Sequence, residues 1–150
     1  MVSLNVIVVP TDFSERSLAA LDYAVGLAEK YDAKLKVIFA NEPGLSISDM
    51  AWVGADERTM DEKHLQESRR HIEEIVLKRI PVDVPVDAEI VHGEAVAKII
   101  EHAEDVNADL IVMATHGRTG VSHVLLGSVA EQVVRKAPCP VLTLKQPMEE

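Results

Sequence analysis

Met113-Ala114-Thr115-His116-Gly117-Arg118-Thr119-Gly120-Val121-Ser122-His123-Val124-Leu125-Leu126-Gly127-Ser128 is a glycine-punctuated run that joins an apolar segment, residues 110–113, to an amphipathic one opening at Gly127-Ser128. A buried strand, then this loop, then a helix would set bare backbone N–H groups at the helix N-terminus. Such donors lack intrahelical partners, and the macrodipole adds roughly half a positive charge, so the end favours an anion. A nucleotide phosphate fits that chemistry. The plainer alternative is a glycine-rich loop that only turns the chain.

Outward from this run, residues 4–10, 33–40, 86–91, 110–113 and 141–144 are short and rich in Val, Ile and Leu, and read as five strands. Between them, Leu18, Leu21, Val25 and Ala28 keep one helical face, as do Val96, Ile99, Ile100 and Ala103. A third helix is expected near Thr59, where Thr59 and Glu62 have capping-box spacing, continuing through Leu65, Ile72 and Ile75 to Pro81. A fourth runs from Ser128 to about Lys136. Alternating strands and helices, with strands apolar on both faces, predict a doubly wound α/β fold: a five-stranded parallel sheet with helices on both faces. Residues 41–56 hold Pro43, Gly44, Ser46, Ser48 and Gly54 and read as one long loop weighted by Met50, Trp52 and Val53. It is a lid, a partner surface, or a loop merely tacked down by Trp52.

The 150 residues are 47% hydrophobic, the size of one domain with a substantial core, so 1–150 is expected to be a single domain. Acids outnumber bases 25 to 15, a formal net charge of -10, which opposes the phosphate contacts of nucleic-acid binding. Cys139 is the one cysteine, so neither a disulfide framework nor a cysteine-rich metal cluster is expected. The apolar run at 6–9 is too short for a signal or membrane segment, which points to a cytoplasmic protein away from the membrane.

In an open α/β sheet, ligands bind beyond the strand C-termini where the winding reverses. Order 3-2-1-4-5 brings Pro10-Thr11-Asp12 against the loop that opens at Ala114; order 2-1-3-4-5 would bring up Val91-His92-Gly93-Glu94 instead. The second suits phosphoacceptor receivers, but His92-Gly93 stands where the acceptor Asp belongs, and Asp12 is alone where an acidic pair is needed. Charge supports the first order. Between Asp109 and Glu131 there is no acid, although one residue in six is acidic, and Arg118, His116 and His123 lie inside that interval. Three or four charge-assisted hydrogen bonds at ~1.5–3 kcal/mol each would give micromolar binding after ordering costs.

Several residues have plain structural readings beside the functional ones. Ser128 with Glu131 has capping-box spacing, so its hydroxyl is expected to cap its own helix. Asp12 precedes Ser14, a good N-cap, and is either a turn residue or a ligand; Arg118 is a solvated loop charge or a phosphate partner. His64 and His71 are too far apart for one metal and read as surface histidines; His116 and His123 lack a nearby carboxylate or cysteine, so no metal site is expected. Gly-x-Ser-x-Gly is absent. The loop is not a Walker A motif, because Ser128 and Val129 follow Gly127 where Lys and Ser or Thr would stand, which disfavours efficient triphosphate hydrolysis.

The loop resembles that of the ATP-binding branch of the universal stress protein family, Gly-x2-Gly-x9-Gly-(Ser/Thr). The pattern falls on Ala114, Gly117, Gly127 and Ser128, with Ala replacing the first glycine. The likeness extends to Val8-Val9-Pro10-Thr11-Asp12-Phe13-Ser14, Val91-His92-Gly93, Ala108-Asp109-Leu110-Ile111-Val112-Met113 and Ala137-Pro138-Cys139-Pro140-Val141-Leu142; Ala95 stands where the family often has Pro. The resemblance implies an adenine nucleotide alpha hydrolase-like fold and a site for ATP, AMP or another adenine nucleotide. Asp12 and the backbone near Ala40 would hold adenine, Pro10 and Thr11 would line its pocket, and Met113 with Ala114 would border the ribose. Gly117, Gly127, Ser128 and Val129 would hold phosphates, with Mg²⁺ or Mn²⁺ bridging phosphate oxygens. It also implies a homodimer through antiparallel pairing of Val141–Leu144, in keeping with the hazard of an unpaired apolar edge.

The expected function is therefore that of an adenine-nucleotide-binding stress-response protein acting by nucleotide-dependent conformational change, with no assigned catalytic residue and a protein partner that the residues do not identify. The alternatives are a nucleotide-free interaction module, which Ala114 keeps open, and a slow ATPase, for which only Asp12 or His116 offers a base.

Overall fold

The computed structural model describes residues 2–42, 57–116 and 126–145. Its elements are β1 (Val6–Pro10), α1 (Glu15–Tyr31), β2 (Lys34–Asn41), α2 (Glu57–His71), β3 (Val86–His92), α3 (Ala95–Asp105), β4 (Leu110–Ala114), α4 (Ser128–Lys136) and β5 (Val141–Leu144). The five strands form one sheet in the order β3-β2-β1-β4-β5, every neighbouring pair parallel. This is the expected α/β architecture with the expected order, and its winding reverses between β1 and β4.

Burial explains why the strands are apolar throughout. In β1, Ile7 and Val9 enter a core with Leu18, Leu21, Val25 and Ala28 of α1, while Val8 between them enters a second core with Val96, Ile99 and Ala103 of α3 and Ala130 and Val133 of α4. All three β1 side chains are fully buried. Each such side chain contributes about 1.5–3 kcal/mol, and a period-two pattern with one polar face would have forfeited half of it.

Helix ends follow local chemistry. Ser14 caps α1 by accepting from the Ser17 N–H, and Asp32 closes it in the left-handed region at φ 56°. The capping box expected at Thr59 does not start its helix, because Glu57 and Arg58 are already helical in α2. Nor does that helix run evenly to Pro81. After His71 it widens into a π-turn, Ile72–Val76, then tightens into a 3₁₀ turn, Leu77–Arg79. Ile80, before the proline, is extended at φ -102°, ψ 122°, as the proline ring demands. Asn41 closes β2 rather than opening the loop expected at 41–56, and 43–56, with Met50, Trp52 and Val53, lie outside the described residues.

Candidate nucleotide site at the split between two strands

The ladder between β1 and β4 stops early. It pairs Ile7 with Leu110 and Val8 with Ile111, whereas β1–β2 pairing runs on to Pro10–Ile38 and β4–β5 pairing to Ala114–Leu144. The cause is in the sequence. Val6 faces β4, since its carbonyl accepts from the Asp109 N–H, and Thr11 faces β2, since its N–H donates to the Ile38 carbonyl. Strand alternation then points the Pro10 nitrogen at β4, and proline has no N–H to donate. The sheet opens at its C-terminal edge, at the point where the winding reverses.

The β1 side of the opening is built by short-range hydrogen bonds. Thr11 is buried, with its hydroxyl 3.1 Å from Ser17 Oγ and accepting from the Phe13 N–H at 3.1 Å. Asp12 is half-buried, and its Oδ1 accepts from the Ser14 N–H at 3.0 Å, so the turn role and a place at the crevice coexist. Thr11 thus turns its hydroxyl inward. Pro10 and Ala40 are half-buried at the ends of neighbouring strands.

On the β4 side, Met113 is buried in the α3–α4 core, and Ala114 is half-buried and packs toward the opposite core. The Thr115 N–H donates to the Leu144 carbonyl at 3.0 Å, and the Thr115 carbonyl accepts from the Gly127 N–H at 2.7 Å. That second bond draws the start of α4 onto the end of β4. A Cβ on Gly127 would lie 2.9 Å from the Thr115 carbonyl oxygen and 3.6 Å from His116 Cα and Cδ2, so only glycine permits this approach. His116 places Nδ1 3.1 Å from Thr115 Oγ1, and its Nε2 is buried without a hydrogen-bond partner among the described residues.

The N-terminus of α4 differs from those of α1 and α3. Ser14 caps α1; Glu94 accepts from Val96 and Ala97, and Glu42 from Ala95, so carboxylates cover the start of α3. At α4 the capping position is Gly127, which has no side chain. The expected capping role of Ser128 is therefore overturned: it is the first helical residue, exposed, because the Gly127–Thr115 hydrogen bond fixes the helix boundary one residue earlier. Val129 beside it is also exposed.

The structure thus gathers Pro10, Thr11, Asp12, Ala40, Met113, Ala114, Gly127, Ser128 and Val129 at one end of the sheet; Gly117 and Arg118 lie outside the described residues. Sequence reasoning did not find Glu42, whose cap on α3 crosses from β2, or the anchoring role of Thr115. His71, expected at the surface, is half-buried with its ring against Phe13. Burial, with the nearby Asp109 carboxylate, pushes the Cys139 thiol up, away from the reactive thiolate. Among the described residues, no group of three or more His, Cys, Asp or Glu is placed to hold a metal ion, and no helix is long and apolar enough to cross a membrane.

Comparison with known proteins agrees with this fold. The universal stress protein family model matches residues 4–145. The chain is 35% identical to universal stress protein MJ0531 of Methanocaldococcus jannaschii, over 96% of its own length and 84% of that protein's. It is 30% identical to MJ0577 of the same organism, over 93% of this chain and 94% of that one. The solved structure of MJ0577 superposes with a TM-score of 0.84 at 29% identity, covering 99% of this chain and 100% of that one. A universal stress protein crystallised in complex with cAMP superposes with a TM-score of 0.64 at 27% identity, covering 95% of this chain and 98% of that one. Family model, relatives and shared fold together establish that this chain belongs to the universal stress protein family.

Proposed function

We propose that this chain binds an adenine nucleotide, ATP foremost, across the split between β1 and β4, and uses it as a regulatory ligand. The observation that carries this reading is the coincidence of two features at one strand end: the β1–β4 ladder opens after Val8 and Ile111, and Gly127 brings a helix start without a side-chain cap to its rim. The relative crystallised with cAMP supports an adenine-containing ligand.

In this reading Asp12 and the backbone near Ala40 hold the base, Pro10 and Thr11 shape its pocket, and Met113 and Ala114 border the ribose. The N–H groups of Ser128 and Val129, the loop at Gly117 and Arg118, and the close approach at Gly127 hold the phosphates. Mg²⁺ or Mn²⁺, if bound with the triphosphate, would supply charge neutralisation there rather than take protein ligands. The chain's own task is to donate hydrogen bonds and exclude water from the base. Binding shifts a conformational equilibrium only through its differential affinity for the two states, so the partner-facing surface must differ between them. The protein acts as a cytoplasmic homodimer joined along Val141–Leu144, the edge strand of the sheet, whose residues are all half-buried in the single chain.

Isothermal titration with ATP–Mg²⁺, alongside mass spectrometry of ligand released from freshly purified protein, tests this. Saturable heat and a released adenine nucleotide are expected; no heat and no thermal shift at millimolar nucleotide would overturn it. That negative result would favour a nucleotide-free interaction module, the reading for which Ala114 in place of glycine is the specific observation.

A further inference from the structure

Phe13 adopts φ 64°, in the left-handed region that bulky side chains avoid and glycine enters freely. The surroundings show what holds it there. Its ring stacks on Phe39 with centroids 4.7 Å apart and planes at 33°, and meets the His71 ring edge-on at 5.2 Å and 72°. Its N–H donates to Thr11 Oγ1, and on either side Asp12 accepts from Ser14. The ring therefore ties three elements together: the loop after β1, β2 one residue before Ala40, and the last residue of α2, where the helix gives way to its π-turn. π-turns are uncommon and recur where a helix is bent to a task; here one directly follows the residue that closes the aromatic bracket.

We propose that Phe13 is a positioning residue for base recognition: the Phe39–His71 bracket holds its ring, and through the strained backbone it sets Asp12 and Thr11 at the adenine end of the crevice. This rests on the adenine-nucleotide reading above. Strain at a binding loop persists only when the surroundings over-determine it, and the two aromatic contacts with two flanking hydrogen bonds do so. The contacts that hold Phe13, with Phe39, His71 and Thr11, lie on the β1–β2 side of the crevice, whereas Gly127 and α4 follow β4.

The test is the ratio of ATP to GTP affinity in the full chain, measured by isothermal titration on the wild type, Phe13→Gly and His71→Leu, with circular dichroism melts as the folding control. Phe13→Gly accepts φ 64° without strain and removes the ring that holds the loop, leaving the backbone there free to move. ATP binding should weaken about tenfold in Phe13→Gly and about threefold in His71→Leu, while GTP binding stays within about twofold, so that selectivity collapses. If both nucleotides weaken by the same factor, or neither changes, the assignment is overturned, because Phe13 then serves the fold alone. Should Phe13→Gly fail to fold, the ratio in His71→Leu decides between the same two outcomes. A wild-type chain that bound neither nucleotide would overturn the adenine-nucleotide reading and this assignment with it; wild-type binding with unaltered selectivity in the variants overturns this assignment alone.

Discussion

Replacing Gly127 with alanine is a one-atom perturbation of the contact that places α4. Gly127 has φ -67° and ψ 164°, which alanine adopts freely, so the substitution carries no backbone penalty and isolates the close approach. The added Cβ would sit 2.9 Å from the Thr115 carbonyl oxygen, and reaching an ordinary contact of 3.4 Å requires a displacement of about 0.5 Å. The carbonyl cannot swing aside cheaply. It accepts from the Gly127 N–H at 2.7 Å, and the Thr115 N–H is fixed to the Leu144 carbonyl at 3.0 Å. The helix start must therefore lift off the strand and stretch the bond that seats it. Overpacking of this kind costs about 1–3 kcal/mol. At ~2–4 °C per kcal/mol for a chain of this size, the midpoint of thermal unfolding should fall by about 2–12 °C. Because the same movement carries the first amides of α4 away from the proposed phosphate position, ATP–Mg²⁺ affinity should fall about tenfold or more, the factor corresponding to ~1.4 kcal/mol. Differential scanning calorimetry and isothermal titration read the two effects separately. A Gly127→Ala protein with unchanged midpoint and unchanged ATP affinity would refute both the close-approach argument and the placement of phosphates at α4.

Ala114→Gly supplies the glycine of the resembled loop pattern and should tighten ATP binding by up to about tenfold by titration, while a strand glycine beside Leu144 lowers stability by about 0.5–1 kcal/mol; equal binding would show that the methyl group is irrelevant, and weaker binding that it does not obstruct the nucleotide. Thr11→Val removes the acceptor for the Phe13 N–H and the partner of the Ser17 hydroxyl, and should cost about 1–3 kcal/mol in urea unfolding. Pro140 and Leu144 direct their carbonyls at β4, so Thr143 faces the free edge, and Thr143→Pro removes an outward N–H without touching the β4 ladder. Light scattering should report a dimer for the wild type and a monomer for the variant, and an unchanged mass would exclude pairing through β5. Hydrogen bonds from Lys34 and then Lys36 hold the Asp87 carboxyl at about 2, below its ordinary 3.8. A depressed carboxyl contributes fully above the unfolded value and loses its contribution as pH falls toward 2, so an Asp87 carbon-13 titration should have its midpoint near 2 and Asp87→Asn should lessen the loss of stability between pH 4 and 2; an ordinary midpoint would remove that link.

What could be read from the sequence was what local pattern determines. The β1 run Val6–Pro10 reveals a strand buried on both faces because Ile7 and Val9 meet one core and Val8 the other, and α1 and α3 reveal their inner faces by helical spacing. The strand order needed a long-range cue, supplied by the acid-free interval between Asp109 and Glu131. Pro10 and Gly127 entered the candidate site through strand order and the loop pattern; the structure adds the backbone reasons, a missing N–H at Pro10 and a close approach at Gly127. The site was not legible where side chains choose among partners distant in the chain: Glu42 reaching Ala95, and His71 reaching Phe13, depend on how β2, α2 and α3 come together. The capping-box spacing at Ser128 misled because a tertiary hydrogen bond, Gly127 to Thr115, outweighed the local preference and moved the helix boundary by one residue.

Whether the first amides of α4 receive a nucleotide's phosphates is the central question, and amide chemical shifts of a nitrogen-15-labelled protein titrated with ATP–Mg²⁺ read this directly. The amides of Ser128 and Val129, together with Asp12 across the crevice, should move in a saturable way with one common Kd, while Val96 and Ala97, whose N–H groups Glu94 already occupies, stay in place. Shifts absent from Ser128 and Val129 at saturating nucleotide, or confined to another face of the sheet, would contradict it.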